Sequence, residues 1–161
     1  MSHKTSIPVT RDFLGGVTQK KSEMNFDLTK KNEVERLINK TIPNTIINLS
    51  ALTNVDVCEK NVIKAFNINS LILNNIKEII KNKKINLIHV STDQLYNASD
   101  SKVLNKEEDI KPINIYSITK LLGEMFISDI NSSVIRTNFF GFSLTKNRES
   151  FSDWIINNIK K

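Results

Sequence analysis

The chain has 161 residues, a formal net charge of +6 and a single cysteine, Cys58. Its 39% hydrophobic and 25% charged residues are typical of a soluble globular protein, and its length is enough for one hydrophobic core. A single cysteine excludes an internal disulfide, and no apolar run reaches the roughly 18 residues of a membrane span. We therefore expect a cytoplasmic protein that makes no contact with a membrane.

The positive charge is spread over the whole chain and is not collected in one patch. Lysine pairs such as Lys20-Lys21 and Lys83-Lys84 lie far apart in the sequence. The aromatic residues, 7% of the chain, are not interleaved with basic residues as a stacking platform for nucleic acid requires. Scattered charge of this kind usually solvates a surface, so we expect no nucleic-acid partner.

The N-terminal quarter of the chain has only weak patterns. Residues 24–26 fit a short strand, and Thr29 is placed to cap a helix over residues 32–39. Residues 5–23, which include Pro8 and two adjacent glycines, are expected to form a loop.

From residue 45 onward, strands and helices alternate regularly. Residues 45–50, 86–91 and 133–137 are short β-branched runs, and the first two indicate strands buried on both faces. This repeated order predicts an α/β fold with a parallel sheet and right-handed crossovers. The helices are predicted over residues 61–81, 116–129 and 151–159, and a polar loop is predicted over residues 97–114.

A polar cluster follows each of these three strands. The clusters are residues 50–53, residues 91–93 and the pair Thr137-Asn138. In an open parallel sheet, ligands bind beyond the carboxyl ends of the strands. One such cluster is more often a turn or a helix cap, but three after three strands predict a ligand site.

Tyr116 and Lys120 lie four residues apart in a helix-like stretch. One helical turn places both side chains on the same face, where a lysine ammonium favours the phenolate and makes tyrosine a usable acid or base. In a lysine-rich chain this spacing also arises by chance, so its meaning depends on the neighbouring motifs.

The order of these motifs resembles the extended short-chain dehydrogenase/reductase superfamily and, within it, the dTDP-4-dehydrorhamnose reductase family. The match covers residues 24–160. It is carried by the ordered spacing of Asp27-Leu28-Thr29, residues 48–56, Asn69, residues 91–96, Glu108-Asp109, residues 114–124 and residues 136–138.

The resemblance implies one partial NAD(P)-binding Rossmann-like domain over residues 1–161, with its core at residues 24–160. The four glycines lack the family's Gly-x-x-Gly-x-x-Gly spacing, so the first strand and the glycine-rich turn are expected upstream of Met1. The family also continues beyond Lys161. Without the central strand, we expect weak or absent binding of NADP or NAD, and a loosely folded or self-associating chain.

The resemblance also assigns roles to individual residues. Tyr116 would donate a proton to a substrate carbonyl, Thr92 would hydrogen-bond the same oxygen, and Lys120 would lower the pKa of Tyr116 and bind the nicotinamide ribose. The expected cofactor contacts are Asp27, Leu28, Ser50, Ala51, Thr53, Ser91, Tyr116, Lys120 and Asn138.

The implied function is reduction of a nucleotide-linked 4-keto sugar by NADPH or NADH. The alternative is a non-catalytic regulatory or binding module of the same fold, similar to the regulatory subunit of methionine adenosyltransferase. Alternatives also remain for single residues. Asp27 equally suits the start of a helix, and Asn69 and His89 suit packing. No Cys/His/Asp cluster has the spacing of a metal site.

Overall fold

The computed structural model describes residues 6–9, 22–96, 106–139, 141–142 and 150–159. A π-helical segment (Asn67–Leu71) lies between α3 and α4, and a 3₁₀ turn (Asp93–Leu95) follows β4. The helices and strands are β1 (Ser6–Val9), β2 (Ser22–Asn25), α1 (Lys31–Thr41), β3 (Thr45–Asn48), α2 (Val55–Lys60), α3 (Val62–Phe66), α4 (Ile72–Ile80), β4 (Asn86–Thr92), α5 (Ile115–Phe126), β5 (Ser132–Thr137) and α6 (Phe151–Ile159).

The main sheet is parallel and three-stranded, in the order β3-β4-β5. Asn48 pairs with His89, and His89 pairs with Val134, so these three positions form one row across the sheet. The helices α2 to α4 connect β3 to β4, and α5 connects β4 to β5. This order confirms the predicted α/β, Rossmann-like fold with flanking helices.

The two N-terminal strands form a sheet of their own. β2 pairs antiparallel with β1, from Ser6 opposite Asn25 to Val9 opposite Ser22. The prediction of a loop over residues 5–23 was therefore wrong at both of its ends, while residues 10–21 lie outside the described part. The short strand predicted over residues 24–26 is present in part as β2, which ends at Asn25 and whose backbone groups pair with β1.

The predicted Thr29 cap of the first helix was also wrong. Lys30 is the N-cap residue and makes no side-chain cap bond. Thr29 instead donates its backbone N–H and its hydroxyl to Asp27 Oδ1, at 3.1 and 2.6 Å. The Asp27 side chain therefore closes a turn ahead of α1, as aspartate often does.

The predicted long helix over residues 61–81 is not one continuous α-helix. Helix formation begins earlier, at Val55, because Asn54 Oδ1 accepts the backbone N–H of Val57 at 2.9 Å. The chain then bends at Asn61 and adopts one π-helical turn before α4. Such π-helical turns are frequent at functional sites.

The hydrophobic core lies on one face of the main sheet. On this face Leu87 of β4 is fully buried, and Ile46 of β3 packs against the same cluster. On the opposite face Ile47 is 61% exposed and Ile135 is 48% exposed, so the expectation that β3 is buried on both faces was wrong. The buried members of the core are Phe26, Leu28, Val34, Ile38, Ile72, Leu73, Ile76, Ile80, Ile85, Leu87 and Ile127.

None of the helices in the described part of the chain is long and apolar enough to cross a membrane.

Candidate functional site

The start of α5 is held by a capping box. Asn114 Oδ1 accepts the backbone N–H of Ser117 at 2.8 Å, and the Asn114 N–H donates to Ser117 Oγ at 3.3 Å. The Ile115 N–H donates to Glu59 Oε1 at 2.7 Å, which ties this end of α5 to α2. These contacts set the rotation of the helix, and Tyr116 and Lys120 both face inward from it.

The Tyr116 phenol is buried beside the end of β4. Burial raises the pKa of Tyr116, and nearby Cys58 and Asp93 raise it further. A hydrogen bond with the Thr92 side chain acts in the opposite direction. We expected a lysine ammonium to lower this pKa, and the structure differs because burial is the largest influence on the phenol.

Lys120 is directed into the protein and is only 2% exposed. Its Nζ donates to the carbonyl oxygen of Val90 at 2.8 Å and lies 3.1 Å from His89 Nε2. Burial lowers the pKa of Lys120 to about 8, against an opposing attraction from Glu124. The lysine is therefore bound to β4, and the ammonium and the free amine are close in energy near pH 8.

His89 lies fully buried between Lys120 and β3. Its Nδ1 is 3.1 Å from Nδ2 of Asn48, a side chain that is itself 4% exposed. Burial and the positive charge of Lys120 lower the pKa of His89 to about 3, while a hydrogen bond with the Asn48 backbone acts in the opposite direction. The ring is consequently neutral at physiological pH.

Asn69, in the π-helical segment, joins the loop after β3 to α5. Its Oδ1 accepts the Leu52 N–H at 2.7 Å, and its Nδ2 donates to the Leu52 carbonyl at 3.2 Å and to Thr119 Oγ1 at 3.0 Å. Gly123 allows this close packing, because a Cβ there would lie 2.5 Å from the Asn69 carbonyl oxygen and 2.6 Å from Leu73 Cδ1. The structure therefore gives Asn69 a structural role.

A buried ion pair lies one turn further along α5. Arg136 donates to both carboxylate oxygens of Glu124, with the shortest contact at 2.7 Å. Ser91 Oγ hydrogen-bonds the same carboxylate, and Arg136 also donates to Tyr96 Oη at 2.8 Å. The Glu124 hydrogen bond is the main cause that raises the pKa of Arg136. This network fixes the chain that follows β4 against β5.

The structure brings together five of the predicted site residues at the carboxyl ends of β3 and β4. Thr92, Tyr116 and Lys120 surround the end of β4, and Ser91 is buried beside them. Ser50 follows β3, where its N–H donates to Asn48 Oδ1 at 3.2 Å.

The other predicted cofactor contacts have varied surroundings. Asp27 is engaged by Thr29, which lowers the pKa of its carboxyl, and Leu28 is buried in the hydrophobic core. Ala51 is half-buried, and the last two of these residues, Thr53 and Asn138, are exposed. Their contacts with a cofactor stay predictions.

Sequence reasoning missed Asn48 and His89 as partners of Lys120, and Glu124 as the partner of Arg136. The signal was present in the alternation of β4, where Leu87, His89 and Ser91 occupy the face covered by the helices. A buried histidine and serine in that row need polar partners, and α5 is the helix that follows. Among the described residues, no group of His, Cys, Asp and Glu could hold a metal ion.

Comparisons with known proteins agree with this geometry. Residues 7–159 match the family model described as the RmlD substrate binding domain. The chain belongs to this family. The family resemblance predicted from the order of motifs in the sequence is thereby confirmed.

Individual relatives carry related names. The chain is 29% identical to the dTDP-4-dehydrorhamnose reductase of Sinorhizobium fredii over 71% of its own length and 40% of the relative's. A solved dTDP-4-dehydrorhamnose reductase from Clostridium acetobutylicum superposes with a TM-score of 0.71 at 26% identity, covering 83% of this chain and 47% of that one.

A third relative was solved with a cofactor. The dTDP-4-dehydrorhamnose reductase of Bacillus anthracis, in complex with NADP, has a TM-score of 0.64 at 27% identity, over 68% of this chain and 40% of its own. The chain thus spans about two fifths of the length of the curated relatives that it matches.

Proposed function

We propose that this chain contributes the proton-donating site of a reductase that acts on a nucleotide-linked 4-keto sugar with NADPH or NADH. The observation that carries the proposal is the buried Tyr116 phenol, hydrogen-bonded by Thr92 and one helical turn before Lys120. Membership of the RmlD family and relatives named as dTDP-4-dehydrorhamnose reductases support this class of substrate.

The proton chemistry follows from the burial of Tyr116. Because burial raises its pKa, the phenol keeps its proton at neutral pH and can donate it to a carbonyl oxygen placed against it. The Thr92 hydroxyl accepts the backbone N–H of Gln94 at 3.2 Å and has one hydrogen to donate, which could move from the Tyr116 oxygen to a bound carbonyl oxygen. A bound reduced nicotinamide would supply the hydride to the carbonyl carbon.

The described residues fit only part of such a cofactor. The polar residues that follow β3 and β4, next to Tyr116, suit the nicotinamide half of the cofactor. A pyrophosphate requires closely approaching backbone N–H groups, usually at glycines. Of the described glycines, Gly123 is packed against Asn69 and Gly141 lies far along the chain after β5. We therefore predict weak or absent binding of NADPH by this polypeptide.

The decisive experiment measures NADPH oxidation with a dTDP-4-keto-6-deoxy sugar. We expect Tyr116→Phe to lower the rate by about 10²–10⁴-fold, the usual contribution of a positioned acid. The matched control is Tyr96→Phe, which removes a phenol bonded to Arg136 and should change the rate only a few-fold. Equal, measurable rates for the wild type and Tyr116→Phe would contradict the proposal.

Cofactor binding is measured separately. NADPH fluorescence is titrated with the purified chain, and the assay is repeated at increasing NADPH concentration. Weak binding predicts a rate that keeps rising with NADPH, whereas saturation in the micromolar range would contradict the predicted weak binding.

A second candidate is a non-catalytic binding module of the same fold. It is favoured by the direction of Lys120, whose amine contacts His89 and Val90 inside the protein. A folded chain that neither binds NADPH nor oxidises it at any concentration would support this second function. Self-association stays a prediction, to be measured by sedimentation velocity.

A further inference from the structure

The side chains of Asn48, His89 and Lys120 form a buried line from β3 across β4 to α5. Their exposed fractions are 4%, 0% and 2%. The Asn48 Nδ2 to His89 Nδ1 distance and the His89 Nε2 to Lys120 Nζ distance are both 3.1 Å. Both ring nitrogens therefore make hydrogen bonds with a nitrogen atom of a neighbour.

The neutral His89 ring limits how these three side chains can share protons. A neutral imidazole has one nitrogen that donates and one that accepts. His89 is neutral above about pH 3, so it has a single ring proton for two nitrogen neighbours. One neighbour must donate to the ring, and the other must accept from it.

The neighbour on β3 is the one that donates. Asn48 Oδ1 accepts the backbone N–H of Ser50 at 3.2 Å, and this contact sets the orientation of the amide. The Asn48 NH₂ group is then directed at His89 Nδ1 and donates to it. With the amide in this orientation, the ring proton is on Nε2 and Lys120 Nζ is its acceptor. An ammonium has no lone pair to accept a proton, so this arrangement requires the uncharged amine of Lys120.

The charges around Lys120 agree with this assignment. Among the ion pairs of the described residues Lys120 takes no part, and the nearest carboxylate on α5, Glu124, is bound by Arg136. Tyr116 lies one turn before Lys120 on the same helix, and β3 contributes no charged group to the line: the Asn48 amide contacts the ring, and a hydrogen bond with the Asn48 backbone raises the pKa of His89. Burial disfavours the ammonium, whereas the attraction of Glu124 and the hydrogen bond to the Val90 carbonyl favour it.

We propose that Asn48 and His89 are positioning residues for Lys120: the Asn48 amide selects the Nε2–H tautomer of His89, and this tautomer favours the uncharged amine of Lys120. Protonation of Lys120 then requires the ring proton to move to Nδ1 and the Asn48 amide to turn. The turn breaks the Ser50 contact, so the charge of Lys120 is linked to the conformation of the loop after β3. This inference rests on the three side chains and is independent of reductase activity.

Nuclear magnetic resonance of the isotopically labelled full chain tests the tautomer directly. Long-range ¹H–¹⁵N spectra distinguish Nε2–H from Nδ1–H, and the ¹³Cε shift of Lys120, identified by Lys120→Arg, reports its charge. We expect the Nε2–H form at pH 9 and a growing share of the Nδ1–H form as the pH falls through the titration of Lys120. The Nδ1–H form at pH 9, or a ring that ignores the Lys120 titration, would overturn the proposal.

Two variants test the part played by Asn48. Asn48→Asp provides an acceptor for Nδ1–H, so we expect the Nδ1–H form at pH 9 and a Lys120 midpoint about one pH unit higher, a tenfold gain in proton affinity. Asn48→Leu removes the donor without adding charge. Because the Nε2–H tautomer is then no longer favoured, the Lys120 midpoint should rise by about half a pH unit.

The matched control is Asn82→Asp, which makes the same charge change at an exposed turn. A Lys120 midpoint that is equal in the wild type, Asn48→Leu and Asn82→Asp would contradict the assignment. If either Asn48 variant fails to fold, the pH dependence of the His89 tautomer in the wild type tests the proposal by itself. Neither readout uses cofactor or substrate, so failure of this inference and failure of the proposed reductase activity are distinguishable.

Discussion

The two faces of the main sheet differ in chemistry and in cover. The face packed by α4 and α5 changes from apolar at Leu87 to polar at His89 and Ser91, and all three side chains are buried. The opposite face carries Ile47 and Ile135, which are largely exposed. Parallel sheets are usually covered on both sides, so apolar strands do not by themselves indicate which face holds the site. The buried polar row, and not the apolar content, marks that face.

The largest expected effect is the loss of stability when an apolar side chain is removed from the covered face. Leu87→Ala on the covered face should lower the free energy of unfolding by about 2–5 kcal/mol, because it leaves a cavity in the core. Ile47→Ala on the open face, as the matched control, should cost less than about 1 kcal/mol. Urea unfolding of both variants measures the difference, and equal losses would show that the open face is covered in solution.

The next effect concerns the polar end of the covered face. Glu124→Gln leaves Arg136 without its carboxylate and should cost roughly 3 kcal/mol, as removal of one partner of a buried ion pair does. Glu33→Gln is the matched control, because its partner Arg36 is 69% exposed and such pairs contribute about 0–1 kcal/mol. Thermal or urea unfolding compares them. Similar losses in the two variants would mean that the Glu124 pair is solvated.

The smallest effect is a pH dependence of stability. The pKa of His89 is about 3 in the folded protein and 6.5 in the unfolded chain, so the unfolded chain binds the extra proton between these values. The contribution of neutral His89 to the free energy of unfolding is therefore fully present above pH 6.5. It decreases as the pH falls below that value, by about 2 kcal/mol between pH 7 and pH 5. His89→Gln should remove this part of the dependence.

Urea unfolding at both pH values measures the effect for the wild type and the variant. An equal loss in the two proteins would place the acid sensitivity elsewhere in the molecule.

Much of the fold could be read from local patterns. The β-branched runs of β3, β4 and β5 and their alternation with helices indicated a parallel sheet, since these signals depend only on neighbouring residues. The pairing of β2 with β1 could not be read in this way, because partner choice depends on residues far apart in sequence. The π-helical turn was also missed, because helix propensity does not signal it; within this turn Asn69 packs closely against Gly123 of α5, a contact between residues far apart in sequence.

The sequence by itself determined which side chains share a surface. The four-residue spacing placed Tyr116 and Lys120 on one face of α5, and the two-residue alternation placed His89 and Ser91 on one face of β4. Only the tertiary structure decided how they are used. It directed the Lys120 amine to His89 and Val90, and it made burial the main influence on the phenol. The physical reason is that hydrogen-bond direction and desolvation depend on what packs across the interface between α5 and β4.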